Sequence, residues 1–354
     1  MKVLILHAYS AANRGDGLLV DEAIEVVRSA FGADVELAVA AHYPESFAYP
    51  DVEVVGTHPR AFLSRTGLPR HVVRYWRRYD LVVGVGGGYL RGPTLSAALK
   101  CVVIHVVQLV IAGRYPARRA YLPQSVGPFP PLLGAAVKRL LRRIDRVYLR
   151  DDRSMAEFGG PNARRVADMV VSSAEAVARR RDSSPAGPPV LSVRAVFGRV
   201  SDPVRRLAGR LEEFDGYVQS DVGANSDVDA MASLAPRHVV TASELLTGPP
   251  RVVIAVRLHA ALMALNAGHY VVHLAYERKG WGAFGDLGLG DYVHNVWSFD
   301  VETVLRQVAE LTKSADLRQA YDEAVTAGRV KAGRERLALI QELRTLAMPL
   351  VDDW

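Results

Sequence analysis

The sequence predicts an α/β protein of two Rossmann-like domains facing a central cleft. Two observations carry this expectation: short, continuously apolar runs recur as strands buried on both faces would, and segments of helical spacing separate them. A third is a proline-rich break near the middle, after which the same alternation starts again. The chain has 354 residues, enough for about two domains at ~100–200 residues each.

In order, VLILHAY (3–9) reads as a buried parallel strand, and a polar loop leads to a helix from about Leu18 to Phe31. VELAVA (35–40) and VEVVG (52–56) are the next strands. LVVGVGGG (81–88) is another that ends in glycines, and Thr94 to Ala112 comes next as a helix. ARRAYLPQSVG (117–127) and VYLRD (147–151) are strands on either side of a helix at Leu132–Ile144. RRRDSSPAGPP (179–189) combines three prolines with a charge run and marks the boundary between domains at 1–180 and 190–354. VLSVRAV (190–196) opens the second series, HVVTA (238–242), RVVIAVR (251–257) and YVVHLAY (270–276) continue it, and Val301 to Met348 is helical.

With 49% hydrophobic and 23% charged residues the composition is that of a globular protein, which excludes disorder and collagen-like order. Lys+Arg 44 against Asp+Glu 38 gives +6, a mild excess compatible with an anionic partner. A single cysteine, Cys101, excludes a disulfide framework and any cysteine-built metal site. No apolar h-region and cleavage site come after Met1-Lys2, and the run Cys101–Gly113, interrupted by His105 and Gln108, is too short to span a bilayer. The expectation is a cytoplasmic protein.

Ligands of open α/β sheets collect at the carboxyl ends of the strands, and several such loops carry polar or glycine-rich sequence. In AANRGDG (11–17), Asn13 and Asp16 offer short polar groups; Asp16 either caps the next helix or meets a sugar hydroxyl. Gly86, Gly87 and Gly88 allow close approach of a ligand or of another strand, without the spacing of a dinucleotide fingerprint. Gln124, Ser125 and Gly127 come after one strand. Arg150 and Asp151 come after another, where capping the helix near Ser154 is the preferred reading.

The sharper constellation lies in the second half. Arg257 and His259, two apart at a strand end, point to the same side of an extended chain. A guanidinium that grips carboxylate or phosphate beside an imidazole that titrates near neutrality suits an anionic substrate, although an ion pair and a helix cap would explain them too. Arg194, at another strand end, and Lys279, in the glycine-rich loop 276–292, add two cations to the same domain.

Basic residues also gather at Arg60, Arg65, Arg70, Arg74, Arg77 and Arg78, and on the helix carrying Lys138, Arg139, Arg142, Arg143 and Arg146. The stripe Leu133, Val137, Leu140, Leu141 and Ile144 turns that helix's charge to solvent, with an anionic membrane surface or a lipid-linked acceptor as the alternative partner. Nucleic acid is the less favoured partner, since no aromatic residue interleaves with the cations of that helix.

Taken in order, Asn13-Arg14-Gly15-Asp16, Gly86-Gly87-Gly88, Gln124-Ser125-Val126-Gly127-Pro128, Arg150-Asp151 with Ser154, Arg257-Leu258-His259, and Tyr276–Lys279 leading into Leu287-Gly288-Leu289 resemble the polysaccharide pyruvyltransferase family. These motifs spread over about residues 3–290; residues 197–236 match none of them. The resemblance implies two Rossmann-like domains of the GT-B type. It also implies transfer of a pyruvyl group from phosphoenolpyruvate to two hydroxyls of a saccharide, forming a cyclic ketal and releasing phosphate. It implies His259 and Arg257 as catalytic residues, with Arg194, Arg257 and Lys279 on the donor. Asn13, Asp16, Gly86, Gly87, Gly88 and Gln124 would meet the acceptor. No metal or other cofactor is required by that chemistry, and the partners are a free or lipid-linked saccharide and the inner face of the membrane, not nucleic acid. A GT-B glycosyltransferase using a nucleotide sugar and a non-catalytic sugar- or nucleotide-binding protein are the rival readings.

Overall fold

The computed structural model describes residues 1–58, 78–172, 184–221 and 226–347. Of the basic segment only Arg78 falls within them; Arg60, Arg65, Arg70, Arg74 and Arg77 lie outside the described residues, as do 179–183 of the expected boundary.

The chain divides into two compact units. One comprises 1–12, 16–169 and the chain from 332 onward; the other comprises 13–15 and 170–331. In the first, β1 (Lys2–Ala8), β2 (Glu36–Ala41), β3 (Val52–Gly56), β4 (Leu81–Gly84), β5 (Arg118–Gln124), β6 (Arg146–Leu149) and β7 (Ala163–Arg165) form a parallel sheet in the order β3-β2-β1-β4-β5-β6-β7. In the second, β8 (Val190–Ser192), β9 (Asp215–Tyr217), β10 (Val239–Val240), β11 (Val252–Ala255), β12 (Tyr270–Ala275) and β13 (Val293–Asn295) give β10-β9-β8-β11-β12-β13, also parallel. Both have the doubly wound order, with a point where the winding reverses between β1 and β4 and again between β8 and β11. The expected two Rossmann-like domains are present. The central strands are buried along nearly their whole length, which is why they read as unbroken apolar runs.

The helix α1 (Arg14–Phe31) starts four residues before the expected Leu18, because Asn13 precedes it and its Oδ1 accepts from the Gly15 amide at 3.3 Å. The cap that the sequence left open for Asp16 is therefore made by Asn13. Further along, the helix expected over 94–112 is composite: α2 (Leu95–Cys101), a π-turn at Val102–Val106, and α3 (Val107–Ala112). This run, Leu95–Ala112, is long and apolar enough by length and composition to cross a membrane, contrary to the expectation from 101–113 alone, and 44% of it is buried within the protein. The basic helix is α4 (Pro131–Leu141), whose Val137 and Leu141 face the core as the stripe predicts. Asp151 caps α5 (Asp152–Phe158) by accepting from the Ser154 amide at 2.7 Å, the capping role preferred for it.

Residues 197–236, which matched no motif, hold α6 (Asp202–Arg210), β9 and α7 (Val228–Ala232). The strand β9 is short and contains Asp215 and Gly216, so it carries no strand signal. Its Asp215 is clamped by Arg251 at 2.6 Å and Arg237 at 3.1 Å, two partners distant in sequence. After α8 (Ala242–Thr247), β11 leads into α9 (Leu258–Asn266), and β12 into α10 (Arg278–Asp286).

The C-terminal helical stretch breaks at Ser314 into α11 (Val301–Lys313) and α12 (Ala315–Ala347). The start of α12 packs in the second unit, where the Tyr321 hydroxyl donates to the Val271 carbonyl at 2.9 Å. Its remainder belongs to the first unit, at variance with a domain running 190–354. The cause is polar docking: Arg336 pairs with Glu22, Arg344 donates to the Ser29 and Ala30 carbonyls, and Glu342 accepts from Tyr148.

Arg150, 2% exposed, pairs with Asp168, 1% exposed, and its Nε donates to Ser125 Oγ at 3.1 Å. Removing one partner strands a buried charge. Asp168→Ala is expected to destabilise the first unit by about 3–5 kcal/mol in denaturant unfolding, whereas Arg153→Ala, at an exposed pair, shifts stability by less than ~1 kcal/mol.

Candidate active site

The second sheet reverses its winding between β8 and β11, and Ser192 and Ala255 are register partners there. Arg194 and Arg257 each stand two residues beyond those partners, so the carboxyl ends at the reversal point are flanked by two guanidiniums. Arg257 is extended and buried. Its Nε donates to Asp227 Oδ2 at 2.5 Å and its Nη2 to Oδ1 at 2.7 Å, a bidentate clamp. Burial pushes the Asp227 carboxyl above its ordinary range, against the pull of Arg257 and Arg194.

Arg194 lies over the Tyr276 ring at 5.2 Å and its Nη1 donates to the Tyr276 hydroxyl at 2.8 Å, while its Nε is buried without a hydrogen-bond partner. Burial raises the Tyr276 phenol, but Lys279, Arg194 and Arg257 outweigh it and hold the phenol below its usual value. Three cations therefore surround one hydroxyl. Ser192 Oγ, Gln219 Oε1 and Ser220 Oγ, at the ends of β8 and β9, are buried and make no hydrogen bond. A cation-rich, polar strand end of this kind has the chemistry to hold an anion that carries several oxygens.

Two local expectations change. The strand β11 ends at Ala255 and His259 is the second residue of α9, so Arg257 and His259 are placed by a strand-to-helix turn rather than by alternation along a strand. Lys279 is likewise not in a loop. It occupies the first turn of α10, 3.0 Å from Glu277, where the helix N-terminus adds its own positive potential. Gly280 in that helix sits against the His273 ring, which leaves no room for a Cβ; this packing overrides the low helical propensity of a glycine-rich segment. Gly15, which groups with the second unit, similarly packs on the His259 imidazole and admits no side chain.

In the first unit, the ends of β1, β4 and β5 collect neutral polar and aromatic groups. His7 stacks on Tyr89 at 4.5 Å, its Nε2 is 2.7 Å from the Tyr121 hydroxyl, and His105 lies 5.0 Å from Tyr89. His7 has φ +74°, at a register shift in β1, and its amide donates to Gln108 Oε1 at 2.9 Å. His105 comes from the π-turn. His7 Nδ1, His105 Nδ1, Tyr89 Oη and both amide atoms of Gln124 are buried without hydrogen bonds. A second group, Tyr9, His42, Tyr43 and His58, continues the aromatic lining at the ends of β1, β2 and β3.

Gln124 thus joins a cluster that sequence reasoning missed. A histidine in an apolar run is the signal, weak because a core histidine looks the same. Gly86 and Gly87, by contrast, pack against the end of β5: a Cβ on Gly86 would stand 2.8 Å from the Pro123 carbonyl, and Gly87 bridges Gln124. Asp16 lies in the first turn of α1. Among the described residues no three His, Cys, Asp or Glu side chains are grouped as metal ligands.

Burial lowers His105 to about 3, His273 to about 4 and His7 well below its ordinary value. Their native forms are neutral, so the unfolded chain binds more protons than the native one below pH ~6.5. Stability is therefore expected to fall as pH drops from 6.5 towards 4, by up to about 1.4 kcal/mol per pH unit for each histidine. Denaturant midpoints measured at intervals down to pH 5 check this, and His105→Gln should flatten the slope.

Comparisons with known proteins bear on the family and the fold. Residues 13–228 match the family model for polysaccharide pyruvyl transferase, a stretch that runs from the Asn13 tripeptide to just past Asp227 and stops short of Arg257 and His259. No curated protein matches the chain. Among solved structures it resembles HepE of Anabaena, solved with UDP and glucose (14% identity, TM-score 0.57, 98% of each chain). It also resembles the spinosyn forosaminyltransferase SpnP (16%, 0.55, 98% of this chain and 99% of that one). The glycotransferase of kitacinnamycin is similar at 10% identity and a TM-score of 0.56, over 98% and 99% of the two chains. At these identities the likeness concerns the fold, which is of the GT-B type. The matched stretch covers more than half of the sequence and includes the carboxylate that clamps Arg257: this protein belongs to the polysaccharide pyruvyl transferase family.

Proposed function

We propose that this transferase moves the pyruvyl group of phosphoenolpyruvate onto two hydroxyls of one saccharide, closing a cyclic ketal and releasing phosphate, in the making of an envelope or exported polysaccharide. The observation that carries the reading is the pair Arg194 and Arg257 flanking the reversal point of the second sheet, with Lys279 acting on the same Tyr276 hydroxyl. The donor has a carboxylate and a phosphate on a three-carbon enol, so it needs several cations close together.

In this mechanism Arg194 and Arg257 hold the donor's anionic groups and Lys279 adds charge from the start of α10. His259 delivers a proton to the methylene carbon while a sugar hydroxyl adds to the enol carbon and returns its own proton to His259. The C–O bond to phosphate then breaks with its electron pair, and the second hydroxyl closes the ketal as its proton leaves on the phosphate. The chemistry as written needs no metal. Asp227 acts through Arg257, as the group that fixes the direction of its fork. Asn13, Asp16, Gln124 and the 86–88 turn are the acceptor residues. The neutral imidazoles and aromatic rings around Gln124 suit a sugar, whose hydroxyls need donors and acceptors without net charge and whose ring faces stack on aromatics.

Phosphate release from phosphoenolpyruvate is measured with a panel of hexosides and disaccharides, and the products are weighed by mass spectrometry. The expected result is acceptor-dependent release with a product heavier by one pyruvyl ketal, and thermal stabilisation by phosphoenolpyruvate rather than by UDP-sugars. Stabilisation by UDP-sugars alone would overturn the reading. His259→Ala should lower kcat about 10²–10⁴-fold with donor binding retained, whereas Arg194→Ala should raise the KM for phosphoenolpyruvate about tenfold or more.

A further inference from the structure

The run Leu95–Ala112 has two unlike sides. Ala98, Cys101, Ile104, Leu109 and Ala112 are buried in the first unit, and Gln108 is fixed there by its bonds to the His7 amide and the Ile104 carbonyl. Outward, Leu95 is 82% exposed, Leu99 66%, Val103 42% and Val107 37%. These four recur at intervals of four residues. In an unbroken α-helix such a row would drift by about 40° per step; the π-turn at Val102–Val106 winds less per residue and takes up part of that drift, so the apolar row stays on one side.

The segment that bears this row carries charge of one sign up to Asp145, which pairs with Arg119. From Leu81 to Ile144 the sequence has nine Lys and Arg residues and no Asp or Glu. Lys100 projects from the same helix, Arg114 from its end, and Arg139, Arg142 and Arg143 from α4 and the turn after it, all exposed. α3 packs on α4, and the stem of Arg143 lies within 3.6 Å of the place a side chain on Gly113 would take.

We propose that this face docks on the surface of a lipid bilayer rich in anionic headgroups, with Leu95, Leu99, Val103 and Val107 entering the acyl boundary and the cations beside them meeting lipid phosphates. An exposed apolar row flanked by cations, on a segment that itself contributes no carboxylate, is complementary to that surface in both respects. A second copy of the chain is a poor occupant, since pairing the face with itself opposes cation to cation with no acid in the segment to relieve them. The helix lies along the bilayer rather than through it, because its other side is held in the core by Gln108 and His105. This inference stands independently of the donor and acceptor chemistry.

Vesicle flotation of the full-length protein tests it, with phosphatidylcholine alone or mixed with phosphatidylglycerol. Wild type is expected to float with the mixed vesicles and to leave them as salt rises, and to bind phosphatidylcholine weakly. Leu99→Glu/Val103→Glu should weaken binding by about tenfold or more, and Arg142→Glu/Arg143→Glu should remove the preference for the anionic lipid, both with an unchanged circular dichroism spectrum. The single variant Leu95→Glu, at the most exposed position of the row, serves if the double variant does not fold. Wild type that ignores phosphatidylglycerol vesicles, variants that bind as wild type does, or light scattering that shows a wild-type dimer split by Leu99→Glu/Val103→Glu would each overturn the proposal.

Discussion

The bidentate contact between Arg257 and Asp227 is what the arrangement of cations at the strand ends of the second unit depends on. Arg194, Arg257 and Lys279 all act on the Tyr276 hydroxyl, and three cations gathered at buried strand ends repel one another unless counter-charges are built in. Asp227 and Glu277 supply two, which leaves the five side chains one positive charge in excess. These counter-charges offset most of the mutual repulsion of the three cations. The clamp also fixes the Arg257 fork in the direction from which it must work, and it ties the end of β11 to the segment before α7. Asp227 lies in the stretch that matched no motif, so the part of the sequence least readable alone supplies the restraint on the part most readable.

Both sheets are wound in the same order, and the units differ in the residues that lie beyond their strands. In the second unit the residues beyond β8 and β11 are arginines; in the first, the groups at the ends of β1, β4 and β5 are imidazoles, phenols and an amide. Burial keeps His7 and His105 uncharged, so the first unit presents donors and acceptors without a field, and the second presents a field. One architecture is thus repeated with different residues at its strand ends, which is where units of this kind differ chemically.

The sequence was most legible where local pattern decides. Apolar runs located β1 through β6, β8 and β10 through β12, and RVVIAVR located the strand end before Arg257, though not the turn that places His259. It was least legible where distant partners decide. Asp215-Gly216-Tyr217 is a strand because Arg237 and Arg251 hold Asp215 in place, and neither arginine advertises that role. The segment 278–286 is a helix despite its glycines, since Phe284 is fully buried and Gly280 lies against His273. The C-terminal helix divides its packing between units through Arg336 and Arg344, charged residues that a helical pattern alone assigns to solvent.

The cluster around His7 shows how the first unit departs from an ideal sheet, and the departures coincide. β1 loses register between Ile5 and Ala8, His7 takes a left-handed φ that a branched ring side chain rarely adopts, and β5 shifts against β6 between Tyr121 and Gln124. Facing them, the helix that supplies His105 widens into a π-turn. The left-handed φ of His7 costs about 1–3 kcal/mol and persists only where its surroundings hold it. Here Gln108 does so, accepting from the His7 amide. A sheet relaxed to regular register would turn His7 to the other face and separate it from Tyr89 and Tyr121. Together these irregularities hold the polar atoms of His7, His105, Tyr89 and Gln124 in one cluster at the strand ends.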